Sequence, residues 1–321
     1  MKLPKLKIKD LVANVPVIQG GMAVRISTGR LAGAVAAAGG IGIIGASGME
    51  AEELRREIGI ARQLARGGIF GINVMFAARE FLTIVQTAIK EKVDLIIAGA
   101  GFSRDIFKLV AGTNIKILPI VSSGRLARTA KVCGADAIVV EGKEAGGHLG
   151  TDRSIFDILP EVLAEAGDLP VIAAGGLGFG EEICRVFKMG ASGVQIATNF
   201  VLSEECNASK QFKEMYQRAR KDEVILITSP VGLPGRAIKN EFVEKILKKE
   251  APKPEGCDYC LKNCSLEYCI IQALINSQRG DVDHGVVFSG ENVWKIKNKT
   301  IRPAADILKD IVSEAEECYK P

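Results

Sequence analysis

The chain has 321 residues, 47% hydrophobic and 25% charged, which is enough apolar side chain for a large core and excludes a disordered or fibrous polymer. Its formal charge is only +4, and Lys and Arg interleave with Glu and Asp, so there is no nucleic-acid footprint and an acidic or phosphorylated ligand must be caught locally. The start, Met1-Lys2-Leu3-Pro4-Lys5-Leu6-Lys7, carries charge but no apolar run leading to a cleavage site, and no segment reaches bilayer-spanning length, so a cytoplasmic protein without a membrane partner is expected.

Short apolar, β-branched runs occur in chain order at Val15–Gln19, Ile41–Ile44, Ile69–Val74, Leu95–Ala98, Ile115–Ile120, Ala137–Val140, Leu169–Ala173 and Gly193–Ala197. The gaps carry helical spacing: Ala51–Ala65 puts Leu54, Ile58 and Ala61 on one face, and Glu80–Glu91 repeats this with Ile84, Ala88 and Ile89. Strands apolar on both faces, alternating with helices, predict a parallel sheet covered by helices. Eight such units predict an α/β fold, a (β/α)8 TIM barrel filling residues 1–200; the open doubly wound sheet, built on about six strands, is the alternative. Residues 201–321 read as a helical cap or extension that returns to the barrel. Its first part, to about residue 250, is charged and reads as helical, broken by the Pro/Gly-rich loop Thr228–Arg236. A cysteine cluster, a helical stretch around Ile270–Ser277 and a last segment, Asp283–Pro321, ending in an amphipathic helix complete it.

Barrels place their chemistry at the C-terminal ends of strands. After the sixth run comes Glu141-Gly142-Lys143-Glu144-Ala145-Gly146-Gly147-His148-Leu149-Gly150, which puts one of only two histidines in a glycine-rich loop. A lone imidazole there suits proton transfer, or decorates a tight surface turn. Gln19-Gly20-Gly21-Met22, Gly71-Ile72-Asn73, Ala173-Ala174-Gly175-Gly176-Leu177-Gly178 and Gln195-Ile196-Ala197-Thr198 also sit at strand ends. Each glycine alone shapes a turn; together they suggest backbone lying close to a flat or phosphorylated ligand, with the loops after strands seven and eight suited to a phosphate. Neither Gly-x-Gly-x-x-Gly after the first strand nor Gly-x-x-x-x-Gly-Lys-Ser/Thr occurs, so the dinucleotide and P-loop readings have no local support. His284, in the polar stretch Gly280–Gly285, reads as structural.

Cys257, Cys260, Cys264 and Cys269 form C-x2-C-x3-C-x4-C. Four thiols so close, in a chain without an export signal, suit an iron–sulfur cluster or tetrahedral zinc, or pack a small helical hairpin without metal. Cys133, Cys184, Cys206 and Cys318 read as isolated structural residues.

The strand-end pieces Gly71–Asn73, Glu144–Gly150 and Ala173–Gly176, with Pro16–Met22, Ala36–Gly42 and Gly193–Thr198, resemble the nitronate monooxygenase (2-nitropropane dioxygenase) family, including the related FMN-dependent enoyl-acyl-carrier-protein reductases, from near residue 10 to about residue 310; the cysteine cluster is a departure from it. The resemblance implies FMN at the C-terminal end of the barrel. It assigns Gly21, Met22, Asn73 and Gln195 to the isoalloxazine and ribityl parts, Gly176, Gly178, Gly193 and Thr198 to the phosphate, and Gly147 and Gly175 to the same cofactor set. His148 matches the active-site histidine, Ser289 becomes a substrate-contact candidate, and Arg236 is read as structural before phosphate-binding. The reaction expected first is oxidation of alkyl nitronates with O2. The alternative is NAD(P)H-dependent reduction of an enoyl thioester; a non-catalytic flavin- or metal-binding module and a phosphate-sugar isomerase or synthase stand further off. The expected partner is the small nitronate or enoyl thioester substrate, with a homodimer as the assembly considered.

Overall fold

The computed structural model describes residues 2–257 and 259–319; Met1, Asp258, Lys320 and Pro321, which include both ends of the expected core and extension, lie outside them. A two-stranded antiparallel pair, β1 (Leu6–Ile8) and β2 (Leu11–Ala13), precedes the barrel. The chain then alternates β3 (Val17–Gln19), α1 (Gly29–Ala37), β4 (Gly42–Gly45), α2 (Ala51–Ala65), β5 (Phe70–Met75), α3 (Phe81–Lys90), β6 (Leu95–Gly99), α4 (Asp105–Leu109), β7 (Lys116–Val121), α5 (Gly124–Cys133) and β8 (Ile138–Glu141). The two-residue strand β9 (Gly147–His148) lies in the following loop, before α6 (Ile155–Ala166), β10 (Val171–Ala174), α7 (Gly180–Lys188) and β11 (Gly193–Ile196).

Each of the eight expected runs overlaps one of the parallel strands, several of which extend one residue further; the strands pair in the order β3-β11-β10-β8-β7-β6-β5-β4. The sheet closes between β3 and β4. Ile18 and Ile41 form a parallel bridge, Gln19 N donates to Ile41 O at 2.9 Å, and Ile41 N donates to Val17 O at 3.0 Å. The Gln19 side chain, fully buried, continues the seam where the ladder stops: Oε1 accepts from Ile43 N at 3.1 Å, and Nε2 donates to Ser27 Oγ at 3.0 Å and to Gly20 O.

Alternation along the strands separates two apolar layers. Ile18, Ile43, Ile97, Leu118, Val139 and Ile172 fill the barrel interior, where Leu6 and Ile8 of β1 join them. Ile138, Val140 and Val171 face outward and meet α6 through Ile155, Ile158, Leu159 and Val162, and Val194 belongs to the same outer layer. Helix α2 buries Leu54, Ile58, Ala61 and Ala65, one stripe of its length, while Glu52 and Glu53 oppose the positive end of its dipole.

Beyond the barrel come α8 (Lys210–Arg218), the strands β12 (Val224–Thr228) and β13 (Pro234–Ile238), α9 (Glu241–Lys248), α10 (Ile270–Arg279), β14 (Val287–Phe288) and α11 (Ala304–Cys318). The stretch to residue 250, expected as helical, therefore carries an antiparallel hairpin. Val224-Ile225-Leu226-Ile227-Thr228 is a β-branched run and Ser229–Leu233 turns it back, whereas the charged flanks mask this local preference in a sequence window. Strand β13 pairs with β12 on one edge and with β14 and β9 on the other. Among the described residues no helix is long and apolar enough to cross a membrane.

Replacing Gln19 with Leu leaves the Ile43 N–H unpaired in a buried seam. The expected cost is about 1–3 kcal/mol, read from urea unfolding; unchanged stability would show that the seam needs only its backbone bonds.

Candidate active site

A cavity of about 550 Å³ opens at the C-terminal end of the barrel strands. The strand-end residues Gly21, Met22, Asn73, Gly147, Gly175, Gly176, Gly178, Gln195 and Thr198 all line it, together with His148 and Ser289. Gly193 does not. It starts β11 at the opposite end of the strand, and a Cβ there would lie 3.1 Å from Leu6 Cδ2 and from Pro16 O, so its role is packing at the barrel floor.

His148 is positioned by two neighbouring segments. Gly147 and His148 pair as β9 with Arg236 and Gly235 of β13, so the imidazole lies across the hairpin that begins the extension. Its Nε2 is 2.8 Å from Ser229 Oγ, in the turn of that hairpin, and its ring meets Phe288 edge-on at a centroid distance of 5.1 Å. Burial in this apolar corner pushes its pKa down to about 4, because a charged imidazolium there lacks solvation. The side chain is therefore neutral at pH 7.

Arg236 holds the loop rather than a ligand. It is buried, donates from Nη2 to Lys143 O at 2.7 Å and from Nε to Ala145 O at 3.2 Å, and has Glu291 Oε2 at 3.6 Å. At Gly146 the loop touches the segment after β14: a Cβ would fall 2.5 Å from the Ser289 carbonyl carbon. Ser289 is buried in the cavity wall, and the nearby Tyr216 hydroxyl donates to Phe288 O. Tyr216 also lines the cavity, and burial raises its pKa, keeping the phenol protonated.

The loops after β10 and β11 face each other. Gly175 and Gly176 take φ of +98° and +68°, left-handed conformations that glycine adopts without steric cost. Asn199 Nδ2 donates to Gly178 O at 3.0 Å, and Gly290 N donates to Thr198 Oγ1 at 3.2 Å, which ties both loops to the extension. The N-terminus of α7 follows directly, with Glu314 Oε2 accepting from Gly180 N at 3.4 Å. No Lys or Arg lines the cavity among the described residues, so an anion would meet backbone N–H groups and helix ends. The buried Gln195 Oε1 has no protein hydrogen-bond partner.

Ser229 and Tyr216 escaped sequence reasoning because their partners stand 81 and 72 positions away in the chain. Glu141 also lines the cavity; the signal for it was its place at a strand end in the histidine-loop motif. His284 is exposed and paired with Asp281 at 2.8 Å, as a structural residue would be.

The four clustered cysteines occupy the segment between α9 and α10, which crosses the loop after β5. Arg79 N donates to Cys260 O and Lys262 N to Ala77 O, both at 3.0 Å, and Ser265 N donates to Pro230 O at 3.0 Å in the Ser229 turn. Cys269 caps α10, its Sγ accepting from Gln272 N at 3.5 Å. Among the described residues no three His, Cys, Asp or Glu side chains assemble into a group that could hold a metal ion. The iron–sulfur and zinc expectations thus gain no geometric support.

A family model described as nitronate monooxygenase matches residues 5–84 and 75–314. A probable nitronate monooxygenase of Staphylococcus aureus (strain MSSA476) is 28% identical over 348 aligned positions, covering 95% of each chain. The structure of FabK from Thermotoga maritima is 32% identical, with a TM-score of 0.85, covering 95% of this chain and 94% of that one. A nitroalkane oxidase structure from Streptomyces ansochromogenes has a TM-score of 0.80 over 95% and 97% of the two chains; at 23% identity it shows the shared fold alone.

With two histidines in the chain, ring NMR separates their titrations once His148→Gln identifies one signal. The His148 resonance should stay at its neutral position from pH 8 down to pH 5. A midpoint near 6.5 would show that solvent reaches the ring and would remove the burial argument.

Proposed function

Because this chain belongs to the nitronate monooxygenase family of flavin-dependent oxidoreductases, we propose that it is an FMN-dependent reductase of 2-enoyl thioesters with NAD(P)H as electron donor. The observation that carries this choice is the T. maritima FabK match: 32% identity over 95% of the chain, against 28% for the S. aureus relative. FabK-type proteins are the enoyl reductase branch of the family. Oxidation of alkyl nitronates, suggested by the family description and the S. aureus relative, is the second reading.

The residues present fit FMN. The unpartnered Gln195 Oε1 offers an acceptor to a ring N–H, and Gly21, Met22 and Asn73 line the same cavity. The loops Gly175–Gly178 and Thr198–Asn199 suit its phosphate. When bound, FMN supplies hydride transfer, so that enoyl thioester, NAD(P)H and one proton give the saturated thioester and NAD(P)+.

The chain's own contribution is orientation and control of polarity. A neutral His148, fixed by Ser229 and Phe288, can donate one N–H bond to a thioester carbonyl without placing a cation in an apolar pocket. Phe102, Leu233, Leu274 and Phe288 line the same space and exclude water from the reacting atoms. Arg236 keeps the loop in place through two carbonyls and so acts as a positioning residue.

The test is anaerobic mixing of the oxidised holoprotein with NADH, NADPH or an alkyl nitronate in turn, watching the flavin band. Rapid bleaching by a nicotinamide and recovery with a 2-enoyl thioester is the expected result; bleaching by the nitronate alone overturns the proposal in favour of the second reading. His148→Ala should keep its flavin and lose roughly 10²–10⁴-fold in turnover. Full activity in that variant would remove His148 from the reaction. Gly176→Ala, which forces a side chain into a φ of +68° with its Cβ 2.7 Å from Glu144 Cβ, should lose FMN on gel filtration.

A further inference from the structure

Glu141, the last residue of β8, is the only acidic residue among the described residues that line the cavity. Strand alternation fixes its direction. Val139 lies in the barrel interior and Val140 in the outer layer, so Glu141 points toward the barrel axis, at the cavity floor. Ala174 of β10 is in register with Glu141 on one side and Gln195 on the other. Glu141 and Gln195 therefore flank a small residue, at two strand spacings or roughly 10 Å between backbones. One offers a carboxyl group and the other an amide oxygen without a partner.

We propose that Glu141, in its protonated form, is a hydrogen-bond donor to the FMN ring, acting with Gln195 across Ala174, and that its ionisation controls how tightly the protein holds FMN. The role rests on the FMN reading above. The pyrimidine edge of the ring carries an N–H between two carbonyl oxygens. A carboxylic acid O–H and an amide oxygen match two of those groups, whereas a carboxylate would face a carbonyl oxygen with like charge.

The surroundings favour the acid. Neighbouring β7 and β10 present Ile120, Val121, Ala173 and Ala174 at this level. The nearby charged or titratable groups are Lys143, Glu144 and His148 of its own loop, Arg236 and Glu291 of the extension, and Asp157 and Glu161 of α6, which covers the outside of the barrel. Arg236 is committed to the Lys143 and Ala145 carbonyls. Desolvation alone pushes the carboxyl of the half-buried Glu141 up to about 7, toward the acid form.

If only the acid binds FMN, the apparent dissociation constant grows as the protonated fraction falls, roughly 30-fold from pH 6 to pH 8.5. The second ionisation of the FMN phosphate, near pH 6, acts in both wild type and variant and cancels in their ratio. The experiment reconstitutes apoprotein and Glu141→Gln with FMN across this range and reads affinity by quenching of flavin fluorescence. The expected result is a wild-type affinity that weakens with pH relative to the variant. Parallel curves would overturn the role of Glu141 while leaving FMN binding intact; absence of binding by both proteins at every pH would overturn the cofactor reading and this role with it. Carboxyl ¹³C NMR of the wild type gives a check that needs no variant: the Glu141 midpoint should move to higher pH when FMN binds, and an unmoved midpoint overturns the proposal.

Discussion

Closure of the barrel between β3 and β4 is the constraint on which the site depends. Only a closed sheet brings the ends of eight strands around one axis, and the chain makes that closure with very short strands. Val17–Gln19 cannot supply a full ladder, so the Gln19 side chain takes over, its amide oxygen serving Ile43 N and its amide nitrogen holding Ser27 and Gly20. A residue that closes the barrel therefore also shapes the loop carrying Gly21 and Met22. Fold and site share one buried amide.

Desolvation governs the chemistry that the cavity can support. A chain with 42 Lys and Arg places none of them among the described cavity-lining residues, and its titratable groups there are shifted toward their uncharged forms: His148 downward, Glu141 and Tyr216 upward. Such a pocket favours a flat neutral ring and a substrate that develops charge only in passing. With no Lys or Arg among the described lining residues, a bound anion would have to be met by backbone N–H groups of the glycine loops.

The extension completes the site and was the part least legible in the sequence. Its hairpin supplies Ser229 to His148 and Arg236 to the histidine loop, and β14 brings Phe288 and Ser289 to the cavity. Charged flanks suggested helix where the Val224–Thr228 run forms a strand, because average polarity over a window hides a five-residue β-branched run. The cysteine segment illustrates a related limit. Its spacing resembled a metal ligand set, yet the chain tethers it by backbone bonds to residues 77–79 and to Pro230, and no three-member ligand group assembles among the described residues.

The sequence by itself determined the barrel, since eight doubly apolar strands separated by amphipathic helices can bury their faces in few other ways. It also determined where the glycine loops and His148 lie, because strand ends are readable from local pattern. Tertiary structure alone decided that Gly193 packs against Leu6 and Pro16, that Ser229 and Tyr216 reach partners some seventy to eighty residues away, and that Glu141 and Gln195 flank one alanine. Those relations depend on register and burial, which arise only when distant strands pair and water is excluded between them.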